Sequence, residues 1–254
     1  MIIKKYHFQT IFSLIKNIKN PHSLWGVVVH PLSLIRLKNN TKFFVRNLMD
    51  LWVLTESYIN KDYEKFGIPV GRNWTVIDIG AGIGDFSILA AQASSRNKIY
   101  AIEPYESSYN LLIRNIKLNK IKNVRTFQIA ISSKQKKLGM MINQKNLGNN
   151  RIKKYEKSKM FVNAISLEQF MNQNKIDHIN LIKSDCEGEE FNIFQNLNRD
   201  SYKKIDHIVM EYHLFKSKYM LEKLVDTFRS NGFKIKQTSN PVHKNIGFLF
   251  ADKD

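Results

Sequence analysis

The chain has 254 residues, 43% of them hydrophobic, a formal net charge of +18 at pH 7, and one cysteine, Cys186. That length and apolar content suit one α/β domain with an appendage. A lone cysteine excludes an internal disulfide framework and a thiolate cluster for structural zinc, and it points to a reducing compartment, the cytoplasm.

Residues 1–70 read as mostly helical, punctuated by Pro21, Pro31 and Pro69, with Phe44, Leu48, Leu51 and Trp52 at the i, i+4, i+7, i+8 spacing of a buried face. Their charge is one-sided: Lys4, Lys5, Lys16, Lys19, Arg36, Lys38, Lys42 and Arg46 all precede the first acid, Asp50. The stretch "FQTIFSLIKNIKN" has no small-residue cleavage site and is too short to cross a bilayer. It reads as a helix docked on its own domain or as an interfacial helix making peripheral membrane contact.

From Trp74 the pattern changes to short apolar runs alternating with amphipathic segments, the mark of βα units and a parallel sheet. Strands are predicted at 75–79, 98–102, 124–129, 179–183, 207–211, 233–237 and 247–251, and helices at 85–93, 105–119, 167–174 and 218–230. Ser166 and Gln169 fit a capping box, and Asn231-Gly232 fits a helix stop. Residues 137–165 fit a hairpin with a long basic loop, and in 117–159 Glu156 is the only carboxylate. The last two strands are joined only by "TSNPVHKN", so at least one strand of an otherwise parallel sheet must run antiparallel.

The string "VIDIGAGIGDFS" sets Asp78, Gly80, Gly82 and Gly84 where a buried strand turns into a helix. Glycines there permit a tight turn and close approach of a ligand to the backbone. The spacing is G-x-G-x-G, and the neighbouring carboxylates Asp78 and Asp85 are unhelpful to a pyrophosphate but suit a sulfonium and an ammonium. The next strand ends in Glu103-Pro104, and an acid at that place can accept both hydroxyls of a ribose.

These strings, with "NIKLNKIKNVRTFQIAIS" and "LIKSDCEGEEF", resemble the FkbM family of S-adenosylmethionine-dependent methyltransferases over roughly residues 48–213. The resemblance implies the class I methyltransferase (Rossmann-like) α/β fold in residues 71–254: a seven-stranded, mostly parallel sheet with one antiparallel strand. Residues 1–70 are then an N-terminal helical extension or lid. It also implies S-adenosyl-L-methionine as cofactor, Ala130 as a further cofactor-binding residue beside Asp78, Gly80, Gly82, Gly84 and Glu103, and O-methylation of a hydroxyl on a sugar, glycan or secondary metabolite. Two positions depart from the family pattern: Cys186 stands for the usual aliphatic residue, and Glu168 stands where Leu-Asp is common.

Asp185 follows the apolar run ending at Lys183, at the sheet edge where open α/β folds bind ligands. It is the first candidate for the base that takes an acceptor hydroxyl's proton, with His213 second, Glu187 third and Glu211 a fourth acid on the same edge. Glu189 and Glu190 are assigned to the first turn of a helix running through Leu197, and Lys183 to an ion pair. No His/Asp/Glu spacing suggests a metal. Lys145, Arg151, Lys153 and Lys154 read as solvated or as a contact for an anionic acceptor. Two alternatives remain: an RNA methyltransferase using the basic surface, and a non-catalytic cofactor- or membrane-binding protein. Nucleic acid is disfavoured, because Ser184-Asp185-Cys186-Glu187 replaces the Asn/Asp-Pro-Pro-aromatic string of base-methylating enzymes and a row of acids repels phosphate.

Overall fold

The computed structural model describes residues 2–141, 151–153, 160–214, 218–240 and 245–253. The N-terminal part comprises α1 (Ile2–Asn17), α2 (Ser23–Val29), a hairpin of β1 (Ser33–Arg36) and β2 (Lys42–Val45), and α3 (Leu48–Leu54). A π-helical turn at Thr55–Ile59 then leads to α4 (Asp62–Phe66). The segment is mostly helical, as expected, but the hairpin within it was not expected. "SLIRLKNNTKFFV" alternates buried and less buried residues with period two around an Asn39-Asn40 turn, and Asn40 takes the left-handed φ of 68° that such a turn requires. The expected helical face is therefore divided: Phe44 lies on β2, Leu48 is 61% exposed, and Leu51 is buried.

The main sheet is built from β3 (Thr75–Ile79), β4 (Lys98–Ile102), β5 (Val124–Phe127), β10 (Ile179–Ser184), β11 (Ile205–His213), β12 (Lys234–Ser239) and β13 (Ile246–Asp252). Its order is β12-β13-β11-β10-β3-β4-β5, and β13 runs antiparallel to both of its neighbours while the other pairings are parallel. The central strands bury both faces, as a parallel sheet covered by helices must. Val76, Ile99, Leu181 and Val209 face a core with α5 (Asp85–Ala93) and α6 (Glu106–Leu118). Ile77, Ile102, Ile182 and Ile208 face a second core with α7 (Leu167–Asn174), α8 (Glu190–Gln195) and α10 (Lys218–Ser230). α9 (Arg199–Lys203) leads into β11, and the capping box at Ser166 and Gln169 opens α7.

The expected strand 124–129 stops at Phe127, and the chain crosses to a second sheet of order β6-β9-β7-β8. There β6 (Ala130–Ser132) pairs parallel with β9 (Met160–Ser166), and β7 (Lys136–Met141) pairs antiparallel with both β9 and β8 (Arg151–Lys153). The basic loop lies partly outside the described residues.

The N-terminal part shares the α5/α6 core: Ile35, Phe43, Val45, Leu54 and Tyr58 pack in one cluster with Val76, Phe86 and Ile88. Two asparagines one helical turn apart, Asn115 on α6 and Asn119 at its C-cap, complete the joint by imitating a strand against β2. Asn119 accepts from the Lys42 N–H (2.9 Å) and donates to the Lys42 carbonyl (2.7 Å). Asn115 does the same for Phe44 (2.7 and 3.2 Å) and also donates to the Ile83 carbonyl of the glycine loop (2.9 Å). Asn115 is fully buried, and losing its amide strands a backbone donor and two carbonyls. Asn115→Ala is therefore expected to lower the unfolding free energy by about 3 kcal/mol, measured by denaturant titration.

Candidate active site

β3 delivers the chain into a turn that only glycine can make. Gly80 has a φ of 76°, and a Cβ there would lie 1.9 Å from the Asp185 carbonyl oxygen. The β3 and β10 ends thus close on each other, with the Asp185 N–H donating to the Ile79 carbonyl at 2.9 Å. Gly84, at φ 90°, brings the start of α5 against Leu112, whose Cδ1 would be 2.6 Å from a Cβ.

Beneath this turn lies a buried ion pair. The Lys183 ammonium, on β10, meets Asp78 Oδ1 on β3 at 3.0 Å and donates to the Gly80 carbonyl at 2.7 Å. Asp78 Oδ2 accepts from the Ser87 hydroxyl at 2.6 Å. Asp78 is fully buried and Lys183 is 3% exposed, so the pair serves the loop from behind. Burial alone would lower the Lys183 pKa, but Asp78, Asp185 and Asp85 more than reverse this and raise it.

Above the turn is a cleft walled by Gly80, Gly82, Asp85, Glu103, Ala130, Lys183, Asp185 and Glu187. At the end of β4, Glu103 accepts from the backbone N–H groups of Gly82 and Tyr105, each at 2.9 Å. Burial is the largest influence on it and pushes its pKa up to about 7, against the lowering effect of those N–H groups and Lys183. Burial likewise pushes Asp85 up to about 6, opposed chiefly by Lys183.

At the β10 end, Asp185 Oδ2 accepts from the Tyr63 hydroxyl at 2.9 Å. The Tyr63 ring is itself wedged edge-on against Phe86 and Phe248, both 5.7 Å away, with the Lys183 ammonium 5.3 Å from its centre. Glu187 and Gly188 adopt left-handed φ values of 54° and 102°, so the helix expected to open near Glu187 begins only at Glu190.

Glu189 and Glu190 do more than face a helix dipole. Glu190, fully buried, accepts from the His213 N–H (2.8 Å), from the Gly188 N–H (2.8 Å) and pairs with His213 Nδ1 (3.1 Å). Glu189 accepts from the Ser132 hydroxyl and from Asn192 (3.1 Å), tying the acid loop to β6. Burial alone would lower the His213 pKa, but Glu190, with Asp185 and Glu187, pushes it up to about 10. These carboxylates favour the imidazolium form of His213, which lies 3.7 Å from Glu187 Oε2.

Of the residues singled out from sequence, Gly80, Gly82, Glu103, Ala130, Asp185 and Glu187 share the cleft wall, whereas Asp78, Gly84 and His213 stand behind it. A lid from the N-terminal part was expected, but none of its residues was singled out from sequence as a site residue: Arg46, Met49, Asp50, Val53 and Tyr63 also line the cleft. Asn47 caps α3 by accepting from the Met49 and Asp50 N–H groups, and Arg46 bridges Asp50 (2.8 Å) to the Ser107 hydroxyl (2.9 Å). The capping signature in "RNLMD" could have located that helix start, though not its place over the cleft. Among the described residues no group of three or more His, Cys, Asp or Glu side chains is arranged to hold a metal ion.

The cleft fits a cationic adenosine derivative: a glycine turn with no room for a side chain, a strand-end carboxylate on the wall, and further acids around it. Residues 78–235 match the profile of the methyltransferase FkbM domain. The chain is 23% identical over 216 residues to "Methyltransferase sdnD" of Sordaria araneosa, covering 72% of this chain and 83% of that protein. It is 21% identical over 201 residues to "Methyltransferase 1" of Beauveria bassiana, covering 71% of this chain and 79% of the relative. The crystal structure of an FkbM methyltransferase from Methylobacillus flagellatus KT shares the fold with a TM-score of 0.51 at 12% identity, over 79% of this chain and 53% of that one. The chain thus belongs to the FkbM methyltransferase family and is an S-adenosylmethionine-dependent methyltransferase of class I fold.

Proposed function

We propose that this methyltransferase acts on a hydroxyl of a sugar, glycan or secondary metabolite, with Asp185 as the base that removes the hydroxyl proton. The observation that carries the reading is the Asp185 carboxylate on the wall of the cleft, which accepts from the Tyr63 hydroxyl while the Asp185 backbone N–H donates to the end of β3. S-adenosylmethionine, when bound, supplies an electrophilic methyl on a sulfonium sulfur. Displacement from that sulfur needs the acceptor oxygen in line, and an alcohol oxygen becomes a competent nucleophile as its proton leaves. Asp185 accepts that proton. Tyr63 holds the carboxylate in one orientation, and Lys183 offsets the accumulated negative charge.

His213 ranks behind Asp185 in this reading, because it stands off the cleft wall and its carboxylate neighbours favour its protonated form, in which it pairs with Glu187 and Glu190. Glu103 is assigned to the ribose diol and the Gly80–Gly84 turn to the amino-acid end of the cofactor. Asp78 and Gly84 support that turn from behind. The acceptor is read as uncharged where transfer occurs, since the Asp185 and Glu187 carboxylates wall the cleft there. Any anionic part of the acceptor is left to the basic stretch 145–154, most of it outside the described residues.

Incubation with isotopically labelled cofactor and a cell extract is expected to label a hydroxylated small molecule or glycan; label recovered in RNA would instead favour the alternative that the +18 charge suggests. Asp185→Asn is expected to keep cofactor affinity and lose about a hundredfold in turnover, and a wild-type rate would remove it as base. Tyr63→Phe should lose about tenfold in turnover through a misoriented carboxylate.

Glu103→Ala is expected to abolish cofactor binding in calorimetry. In the wild type the bound ribose hydroxyls favour the ionised carboxylate, so the bound-state pKa lies below the free-state value of about 7. Affinity is then full above neutral pH and weakens as pH falls through 7, by up to about tenfold per unit. Glu103→Gln should flatten that dependence; an unchanged slope would assign the titration to another group.

A further inference from the structure

Of the ten large hydrophobic side chains that stand exposed among the described residues, seven belong to α1 and α2. Phe8 (71% exposed), Ile11, Phe12 and Ile15 fall at i, i+3, i+4 and i+7, a single stripe along the outer side of α1. Trp25 (74%) and Val28 (63%) add to it from α2. The opposite side of α1 is fully engaged: Thr10 and nearby Ile18 are buried, Tyr6 donates to Glu56 at 2.7 Å, and Ser13 to Asn60 at 2.6 Å. Two short helices thus keep an apolar stripe outside that their own fold does not use.

Charge identifies what covers it. Lys16 and Lys19, next to the stripe, and Arg36 and Lys38 on the adjoining hairpin are exposed. Residues 1–49 carry eight Lys and Arg and no carboxylate. A second copy of this chain would set like charge against like. An anionic lipid surface satisfies both features, with aromatic and aliphatic side chains at the acyl boundary and ammonium groups at the phosphates. Among the described residues no helix is long and apolar enough to cross a membrane, so the contact is with one leaflet.

We propose that α1 and α2 form a lipid-docking face that seats the enzyme on an anionic membrane surface. The face adjoins the site: Pro31 and Leu32, directly after α2, line a groove with Arg46, which also lines the cofactor cleft. The proposal stands apart from the choice of methyl acceptor.

Cosedimentation with phosphatidylcholine vesicles, with and without phosphatidylglycerol, tests it. The full chain is expected to bind the anionic vesicles at least about tenfold more tightly than the neutral ones, and more weakly in high salt. A Phe8→Ser, Phe12→Ser, Trp25→Ser triple variant should lose about a hundredfold in affinity while keeping the wild-type circular dichroism, melting temperature and cofactor binding. If the triple variant does not fold, Phe12→Ser and Trp25→Ser singly carry the test, each with about a tenfold loss. Absence of binding by the wild type overturns the proposal. So does equal binding by a folded variant, which would trace the attraction to net charge alone. So does lipid-free dimerisation in light scattering that the same substitutions abolish, which would assign the face to a second copy.

Discussion

The donor half of this enzyme is organised around one buried ammonium. Lys183 reaches from β10 to Asp78 on β3 and to the carbonyl of Gly80, so a single cation fixes the ends of two neighbouring strands and the turn between β3 and α5. Withdrawing two charges from water is expensive, and the cost is offset by their mutual attraction and by the bonds from Ser87 to Asp78 and from Lys183 to the Gly80 carbonyl. Removing either partner would leave the other buried and uncompensated, at a cost of about 3–5 kcal/mol. The same cation lowers the pKa values of Asp85 and Glu103, which burial would otherwise raise further. The cleft thus has acids on its wall and one internal positive charge to keep them ionisable.

The loop on the far side of β10 is fixed by the inverse device, a buried carboxylate. Glu190 gathers the backbone of Gly188 and His213 and the imidazolium of His213, so the loop carrying Asp185 and Glu187 is anchored to the end of β11. Glu189 anchors it again to β6 through Ser132. The string "SDCEGEE" therefore holds two kinds of acid: Asp185 and Glu187 face the cleft, while Glu189 and Glu190 hold the chain that carries them.

Much of this was legible in the chain itself. Short apolar runs alternating with amphipathic segments located the main sheet, and "TSNPVHKN" correctly demanded an antiparallel strand, because a short turn can join only antiparallel neighbours. The glycine turn and the place of Glu103 on the cleft wall were legible because a tight strand-to-helix turn and a strand end are marked by residue type at fixed spacing. The N-terminal hairpin was missed because Phe44, Leu48, Leu51 and Trp52 satisfied a helical spacing while Asn39-Asn40, the stronger turn signal, went unused. The division of labour between Glu189 or Glu190 and Asp185 or Glu187 was beyond sequence. It depends on the left-handed backbone at Glu187 and Gly188, which points successive acids in different directions. Tyr63 was illegible for another reason: its partner, Asp185, is 122 residues away, and no local pattern encodes that distance.

Asparagine, which reads as a solvated polar residue when counted in sequence, has a different meaning indoors. One primary amide offers both a donor and an acceptor, so it can serve an N–H and a carbonyl that no ladder reaches. Asn97 accepts from Trp74 and donates to the carbonyls of Gly71 and Ala90. Asn123 donates to three carbonyls around the same corner, and Asn180 receives the N–H of Thr75. With Asn115 and Asn119 these amides wire loops and helices to strands wherever regular pairing stops. A lineage drifting toward another base composition would replace its surface asparagines freely and find these five immovable.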